Sequence, residues 1–234
     1  MISFPRGGLA VVVGASGALG KALADGLEAG GHFDEVIRLG RHTTPALDLL
    51  DEESIEQAVK VLSGRPAPLR LVIDATGFLH GEGMQPERSW KHLDPVHLAH
   101  SFAINAIGPA LLMKHFLPRL ARDGKSLFAS LSARVGSIGD NRLGGWYGYR
   151  ASKAALNQLL HTAAVELGRS HPAAVCTALH PGTVESSLSA PFARTGLEVQ
   201  SPVLAAERLL AVMDTLTAAE SGGFFDHRGR EIPW

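Results

Sequence analysis

The sequence predicts a doubly wound α/β domain, a parallel sheet covered by helices on both faces. Three observations predict it. Short apolar runs rich in β-branched residues alternate with longer segments of helical periodicity from residue 9 to residue 226. The first apolar run feeds a glycine-rich turn that opens a helix. No repeat, low-complexity tract or linker interrupts the alternation, so residues 1–234 read as one domain.

The elements follow in order. LAVVVGA (9–15) is the first strand, continuously apolar as a strand buried on both faces must be. Leu19, Ala22, Leu23 and Leu27 recur at helical spacing, and Gly30-Gly31 ends that helix. EVIRLG (35–40) is the second strand, and Asp51 is the expected N-cap of a helix over 51–63. LRLVIDATG (69–77) is a third strand running into a glycine. Residues 95–122 form a long, mostly apolar helix with Pro95 near its start and Pro118 kinking or ending it. SLFASLSA (126–133) is a strand, 148–169 a second long helix, and AAVCTALHPG (173–182) a strand ending in Pro-Gly. The Ser-, Pro- and Gly-rich stretch 183–201 predicts a mobile loop. Residues 202–217 are helical, and GGFFD (222–226) is a last short strand.

Composition narrows the function. Hydrophobic residues make up 45%, enough for a substantial core, and a net charge of −1 supplies no field to draw nucleic acid or anionic lipid. The run Leu9 to Val13 is too short to cross a bilayer, and MISFPRGG has no apolar leader region. The one cysteine, Cys176, allows no internal disulfide and suits a reducing compartment. A soluble cytoplasmic protein is expected. Of the eleven histidines, His97 and His100 sit three apart, but no Cys, Asp or Glu completes a ligand set; a solvated helix face is expected there and no metal.

GASGALG (14–20) stands between a buried strand and an amphipathic helix. Such a turn lets backbone N–H groups approach a pyrophosphate at a helix N-terminus, and a Cβ would block the approach. Gly14, Ser16, Gly17, Ala18, Leu19 and Gly20 are therefore candidate contacts of a dinucleotide. An NAD site usually has an acid at the end of the second strand. Here IRLGRHTT puts Gly40 in that place and Arg41 next, which serves a 2′-phosphate better than a free hydroxyl. NADP(H) is the expected cofactor and NAD(H) the alternative.

The segment YGYRASK (147–153) places Tyr149 and Lys153 four apart, on one face of a helix. A phenol titrates near 10 in water. A neighbouring ammonium and a positive helix start both favour its phenolate, and bringing it to about 7 requires roughly 4 kcal/mol. Such a tyrosine could exchange a proton with a carbonyl oxygen as hydride moves. Tyr147 has Ala151 four residues on and is better read as packing or lining a substrate mouth.

Four motifs in register, GASGALG, FAINAIG with Asn105, YRASK and HPGTV (180–184), resemble the short-chain dehydrogenase/reductase family over nearly the whole chain. GSIGDNRLGGWYGYRASKAALN is most similar to its C-factor-like and sniffer-type carbonyl reductase branch. The resemblance implies a sheet of about seven strands and hydride transfer between a nicotinamide and a small carbonyl or secondary alcohol. It implies Tyr149 as the general acid/base, Lys153 tuning it and binding the nicotinamide ribose, and Asn105 holding a water on the proton path. Asp48 matches the acid that bonds the adenine amino group. DATG (74–77) stands where the family has Asn-Asn-Ala-Gly, which puts Ala75, Thr76 and Gly77 near the cofactor. Pro181, Gly182, Thr183 and Val184 would contact the carboxamide. The two long helices imply pairing into a homodimer or homotetramer.

The chain also departs from the family. In SLSARVG (130–136), counting back from Gly136 puts Ala133 at the catalytic serine's place and Ser132 one before it. Successive strand residues face opposite ways, so Ser132 serves as carbonyl donor only if a bulge or strand end turns it inward, and Ser137 is a further candidate. Ala18 replaces a family glycine. Leu188, Phe192 and Leu197 suggest an apolar ligand surface on the 183–201 loop, or caps of the core. The rival function is a non-catalytic nucleotide-binding regulator or signalling protein on the same fold. An epimerase or dehydratase ranks below it, because little chain follows residue 202.

Overall fold

A computed structural model of the chain describes residues 1–81, 83–192 and 198–234, so Leu197 lies outside the described residues. β1 (Leu9–Val13), β2 (Glu35–Leu39), β3 (Leu69–Asp74), β4 (Ser126–Leu131), β5 (Ala174–His180) and β8 (Phe224–Asp226) form one sheet in the order β2-β1-β3-β4-β5-β8. All of its pairings are parallel. β6 (Thr183–Val184) and β7 (Val199–Gln200) pair separately within the stretch read as a loop.

The chain reverses direction of travel across the sheet between β1 and β3, which leaves a crevice at the strands' carboxyl ends. α1 (Ala18–Gly30) and α6 (Pro202–Thr215) cover one face, with Leu23, Leu27, Leu209 and Met213 against Val12, Ile73 and Leu127. α2 (Glu52–Ser63), α4 (Gly108–Phe116) and α5 (Tyr147–Leu167) cover the other, with Ile55, Leu112, Phe116 and Leu160 against Val11, Val72 and Phe128. Alternate residues of each strand thus serve two separate cores, which is why the strands read as unbroken apolar runs.

The caps agree with the sequence. Gly31 closes α1 at φ 57, and the Asp51 side chain accepts from the Glu53 N–H at the start of α2. The long helix is segmented. α3 (Pro95–Phe102), capped by Asp94, passes through a π turn over Ala103–Ile107 into α4, and Pro118 sits in the 3-10 turn that ends it. By length and composition the run Pro95–Arg119 could cross a membrane; in this fold its Leu112, Met113 and Phe116 lie in the core.

Two expectations are corrected. The central sheet has six strands rather than about seven. The chain from Leu39 to α2 folds back on itself, the Leu47 N–H bonding the Gly40 carbonyl at 3.0 Å, and adds no strand to the sheet. The face bearing His97 is not solvated: His97 is buried, and both it and His100 pack edge-on to the Phe78 ring.

Candidate active site

The glycine turn sits at the crevice. Gly14 has φ 80, and a Cβ there would meet the Ala75 backbone and Thr76 Cγ2 at 3.1 Å. A Cβ on Gly20 would fall 2.3 Å from the Gly14 carbonyl oxygen, so the helix can lie this close to the turn only with glycine. Gly17 is the N-cap of α1 and offers no capping side chain, and the first turn, which carries Ala18 and Leu19, holds no acidic residue. Ser16 beside it is exposed. The open N–H groups and positive end of α1 fit an anion such as a pyrophosphate.

At the end of β2, Arg38 is engaged by Asp25 at 2.7 Å and Glu28 at 2.8 Å. Arg41 is exposed. The backbone N–H of Asp48 donates to Ser54 Oγ at 2.9 Å, while its carboxylate accepts from the Leu50 N–H at 3.0 Å. After β3, Asp74 is fully buried. Its carboxylate accepts from Ser130 Oγ at 2.6 Å and from Thr76 Oγ1 at 2.5 Å, which turns the threonine hydroxyl inward.

Tyr149 and Lys153 lie on one face of α5. The Lys153 ammonium is buried and donates to the Leu131 carbonyl at 2.7 Å. A Cβ on Gly77 would lie 3.8 Å from Lys153 Nζ and 3.7 Å from Asn105 Oδ1, ordinary contact distances that place the β3 exit beside both side chains. Burial pulls Lys153 down to about 8, against the opposing pull of Asp74, and pushes Tyr149 up to about 12. In the chain by itself, without a nicotinamide cation beside it, loss of hydration holds Tyr149 protonated.

Asn105 lies in the π turn and is fully buried. Its Oδ1 accepts from the Phe78 N–H at 2.8 Å, and Nδ2 donates to the Phe78 carbonyl at 2.8 Å and to Ser152 Oγ at 3.1 Å. Both amide N–H groups tie β3's exit to α5, so the side chain clamps these two elements together.

The Ser132 hydroxyl has a partner on α5. It is buried and donates to Asn157 Oδ1 at 2.7 Å, one helical turn beyond Lys153. No bulge rotates the strand, because the Ser132 N–H continues the ladder to the Leu179 carbonyl at 2.8 Å. Ala133 occupies the following position, partly exposed. Ser137 is buried, with Oγ accepting from the Asp140 N–H at 3.1 Å.

Pro181 and Gly182 follow β5, Gly182 at φ 78, and Gln200 Nε2 donates to the Pro181 carbonyl. Thr183 and Val184 form β6, so this turn is anchored by the β6–β7 pair. Above Tyr149 is an aromatic group that periodicity could not disclose. Trp146 stands edge-on to Tyr149 at 6.3 Å and to Phe192 at 5.1 Å, and Phe192 meets His80 at 5.4 Å. The Phe192 expectation of a surface facing the site is thereby given neighbours. Trp146 itself is held at φ 54, a left-handed conformation that costs a non-glycine residue about 1 kcal/mol or more.

A family profile described as Enoyl-(Acyl carrier protein) reductase matches residues 22–211. The chain is 36% identical over 143 residues to "C-signal" of Myxococcus xanthus, covering 61% of this chain and 81% of that one. It is 30% identical over 190 residues to 1-hydroxy-2-glutathionyl-2-methyl-3-butene dehydrogenase of Rhodococcus sp. (strain AD45), covering 81% and 79%. The carbonyl reductase Sniffer of D. melanogaster shares the fold at a TM-score of 0.84 and 19% identity, over 98% of this chain and 100% of that one. A short-chain dehydrogenase/reductase from Burkholderia multivorans with bound NADP matches at a TM-score of 0.79 and 25% identity, over 98% and 100%. As the four motifs anticipated, the chain belongs to the short-chain dehydrogenase/reductase family of NAD(P)-dependent oxidoreductases.

Proposed function

We propose that the chain is an NADP(H)-dependent reductase of small carbonyl compounds in which Tyr149 is the general acid. The observation that carries the reading is the buried Lys153 ammonium fixed on the Leu131 carbonyl, one turn from a phenol that burial keeps protonated. The α1 turn would hold the pyrophosphate, Arg41 the 2′-phosphate, and Lys153 with Gly182 to Val184 the nicotinamide end. Bound NADPH supplies the hydride. Tyr149 Oη donates its proton to the carbonyl oxygen, and Lys153 stabilises the phenolate left behind. Asn105 keeps the β3 exit and α5 in register. With Ser132 bonded to Asn157, the proton comes from Tyr149 without help from that serine in this reading, and turnover is slow. NADPH consumption with a panel of reactive aldehydes and diketones tests it.

A second reading, a cofactor-binding regulator, is favoured by two observations: the Ser132 hydroxyl is committed elsewhere, and the 36% identical relative is named for a signal. Tight NADPH binding with no turnover in wild type and Tyr149→Phe alike would select it.

Arg38 is neutralised by Asp25 and Glu28, which leaves Arg41 as the cation for the phosphate. Arg41→Asp is therefore expected to lower the NADPH/NADH ratio of kcat/KM by about tenfold or more, since a charge-assisted contact contributes about 1.5–3 kcal/mol. An unchanged ratio removes Arg41 from the site.

The chain is also proposed to pair with a second copy. A groove of about 580 Å3 between α4 and α5 is lined by Met113, Leu117, Leu159, Ala163 and Leu167, and Val165 beside it is 54% exposed. Light scattering is expected to give a dimer or tetramer for wild type and a monomer for Leu159→Glu. A wild-type monomer would refute the pairing.

A further inference from the structure

The helix that carries Tyr149 starts without a cap of its own. Its N-cap residue is Trp146, in a left-handed conformation, with no side-chain hydrogen bond and no acidic residue in the first turn. A helix start left so would strand N–H groups and keep its positive end. A distant residue supplies what is missing. Glu87, from the stretch between β3 and α3, is 2% exposed, and its carboxylate oxygens accept from the Gly148 N–H at 3.2 and 3.1 Å. Its backbone carbonyl accepts from the Trp146 N–H. Gly148 makes the approach possible, since a Cβ there would fall 2.9 Å from Glu87 Oε1 and 3.2 Å from Ser101 Oγ. Behind the carboxylate, His97 of α3 places Nδ1 at 3.6 Å.

We propose that Glu87 is a positioning residue for Tyr149: its buried carboxylate caps α5 from a separate loop, fixes the first turn, and offsets the positive helix end beside the phenol. This rests on the reading of Tyr149 as the acid. The charged and titratable groups that the proposal weighs around the phenol are Lys153 and Arg150 in α5, Asp74 of β3 acting on Lys153, and Glu87 with His97 at the first turn. Lys153 and the helix end favour the phenolate; Glu87 opposes them. A residue that only filled space would leave the phenol's titration where it is.

The chain has two tyrosines, Tyr147 and Tyr149, so a Tyr147→Phe parent reports Tyr149 alone through tyrosinate ultraviolet absorbance. Adding Glu87→Gln removes the charge and keeps an acceptor oxygen. The titration midpoint is expected to fall by about half a pH unit, which is the size of a charge–helix-end interaction, so tyrosinate at a given pH below the midpoint rises about threefold. Alcohol oxidation, which needs the phenolate, is expected to speed up by the same factor in that range, where a loosened site would slow it. Should Glu87→Gln not fold, Gly148→Ala carries the test, because its methyl group pushes the carboxylate off the helix start and is expected to lower the midpoint likewise. A midpoint unchanged or raised in the folded variant overturns the proposal. A midpoint that falls while oxidation does not quicken supports the cap and counts against Tyr149 as the acid/base.

Discussion

Tyr149→Phe is expected to lower kcat/KM for NADPH-dependent carbonyl reduction by about a thousandfold, within the range that a positioned general acid contributes. The ring stays and only the hydroxyl goes, so the edge-on contact with Trp146 is kept and the fold should not change. NADPH affinity, measured by fluorescence, should stay within about threefold of wild type, because the phosphate turn and Lys153 are untouched. The size of the loss follows from the site's economy. Ser132 is spent on Asn157, and Ala133 has no hydroxyl, so neither of the two residues at the catalytic serine's place polarises the carbonyl when the phenol is removed. Wild-type turnover in the variant would take Tyr149 out of the chemistry.

The legible parts of this molecule were those written in local pattern. Unbroken apolar runs identified the buried strands, and Asp51 and Gly31 marked the helix boundaries they do occupy. The Tyr149–Lys153 spacing and the glycine turn could be read because each lies within one element. What could not be read depends on contacts between distant segments. The direction of the Ser132 hydroxyl is decided by Asn157, twenty-five residues away, and by the strand keeping its ladder. The clamp role of Asn105 requires knowing that Phe78 lies beside it. Glu87 sits in a stretch without periodicity, and its one outward sign is Gly148 in GWYGY, a glycine within the first turn of a helix where its cost needs a packing reason. The phenol's upward shift is hidden from the sequence for the same cause: charge neighbours follow from spacing, but desolvation is a property of the packed site.

Lys153→Met is expected to reduce kcat/KM by about a hundredfold or more while leaving the fold as stable or more so. The two effects have one origin. Lys153 is 2% exposed, and burial lowers it from 10.5 to about 8, a penalty of about 3 kcal/mol on the charged form. Methionine fills similar volume without that penalty and forfeits the bond to the Leu131 carbonyl, worth about 1 kcal/mol. The balance favours the variant by about 2 kcal/mol near neutral pH. The sign with pH is fixed by the depressed folded value. Between about 8 and 10.5 the unfolded chain holds the lysine proton and the folded one has released it, so wild type gains stability as pH rises through that window. The variant's advantage in Tm should therefore be fully present below pH 8 and shrink above it. Activity runs the other way. Wild-type reduction needs the ammonium, so its kcat/KM should fall about tenfold per pH unit above about 8, with Tyr149 still protonated throughout, whereas the residual rate of the variant should be flat. A variant less stable than wild type at neutral pH, or a wild-type profile flat through 8, would mean that the ammonium is neither strained by burial nor used by the reaction. A lysine that costs the fold stability at the pH where it works is a lysine kept for its chemistry.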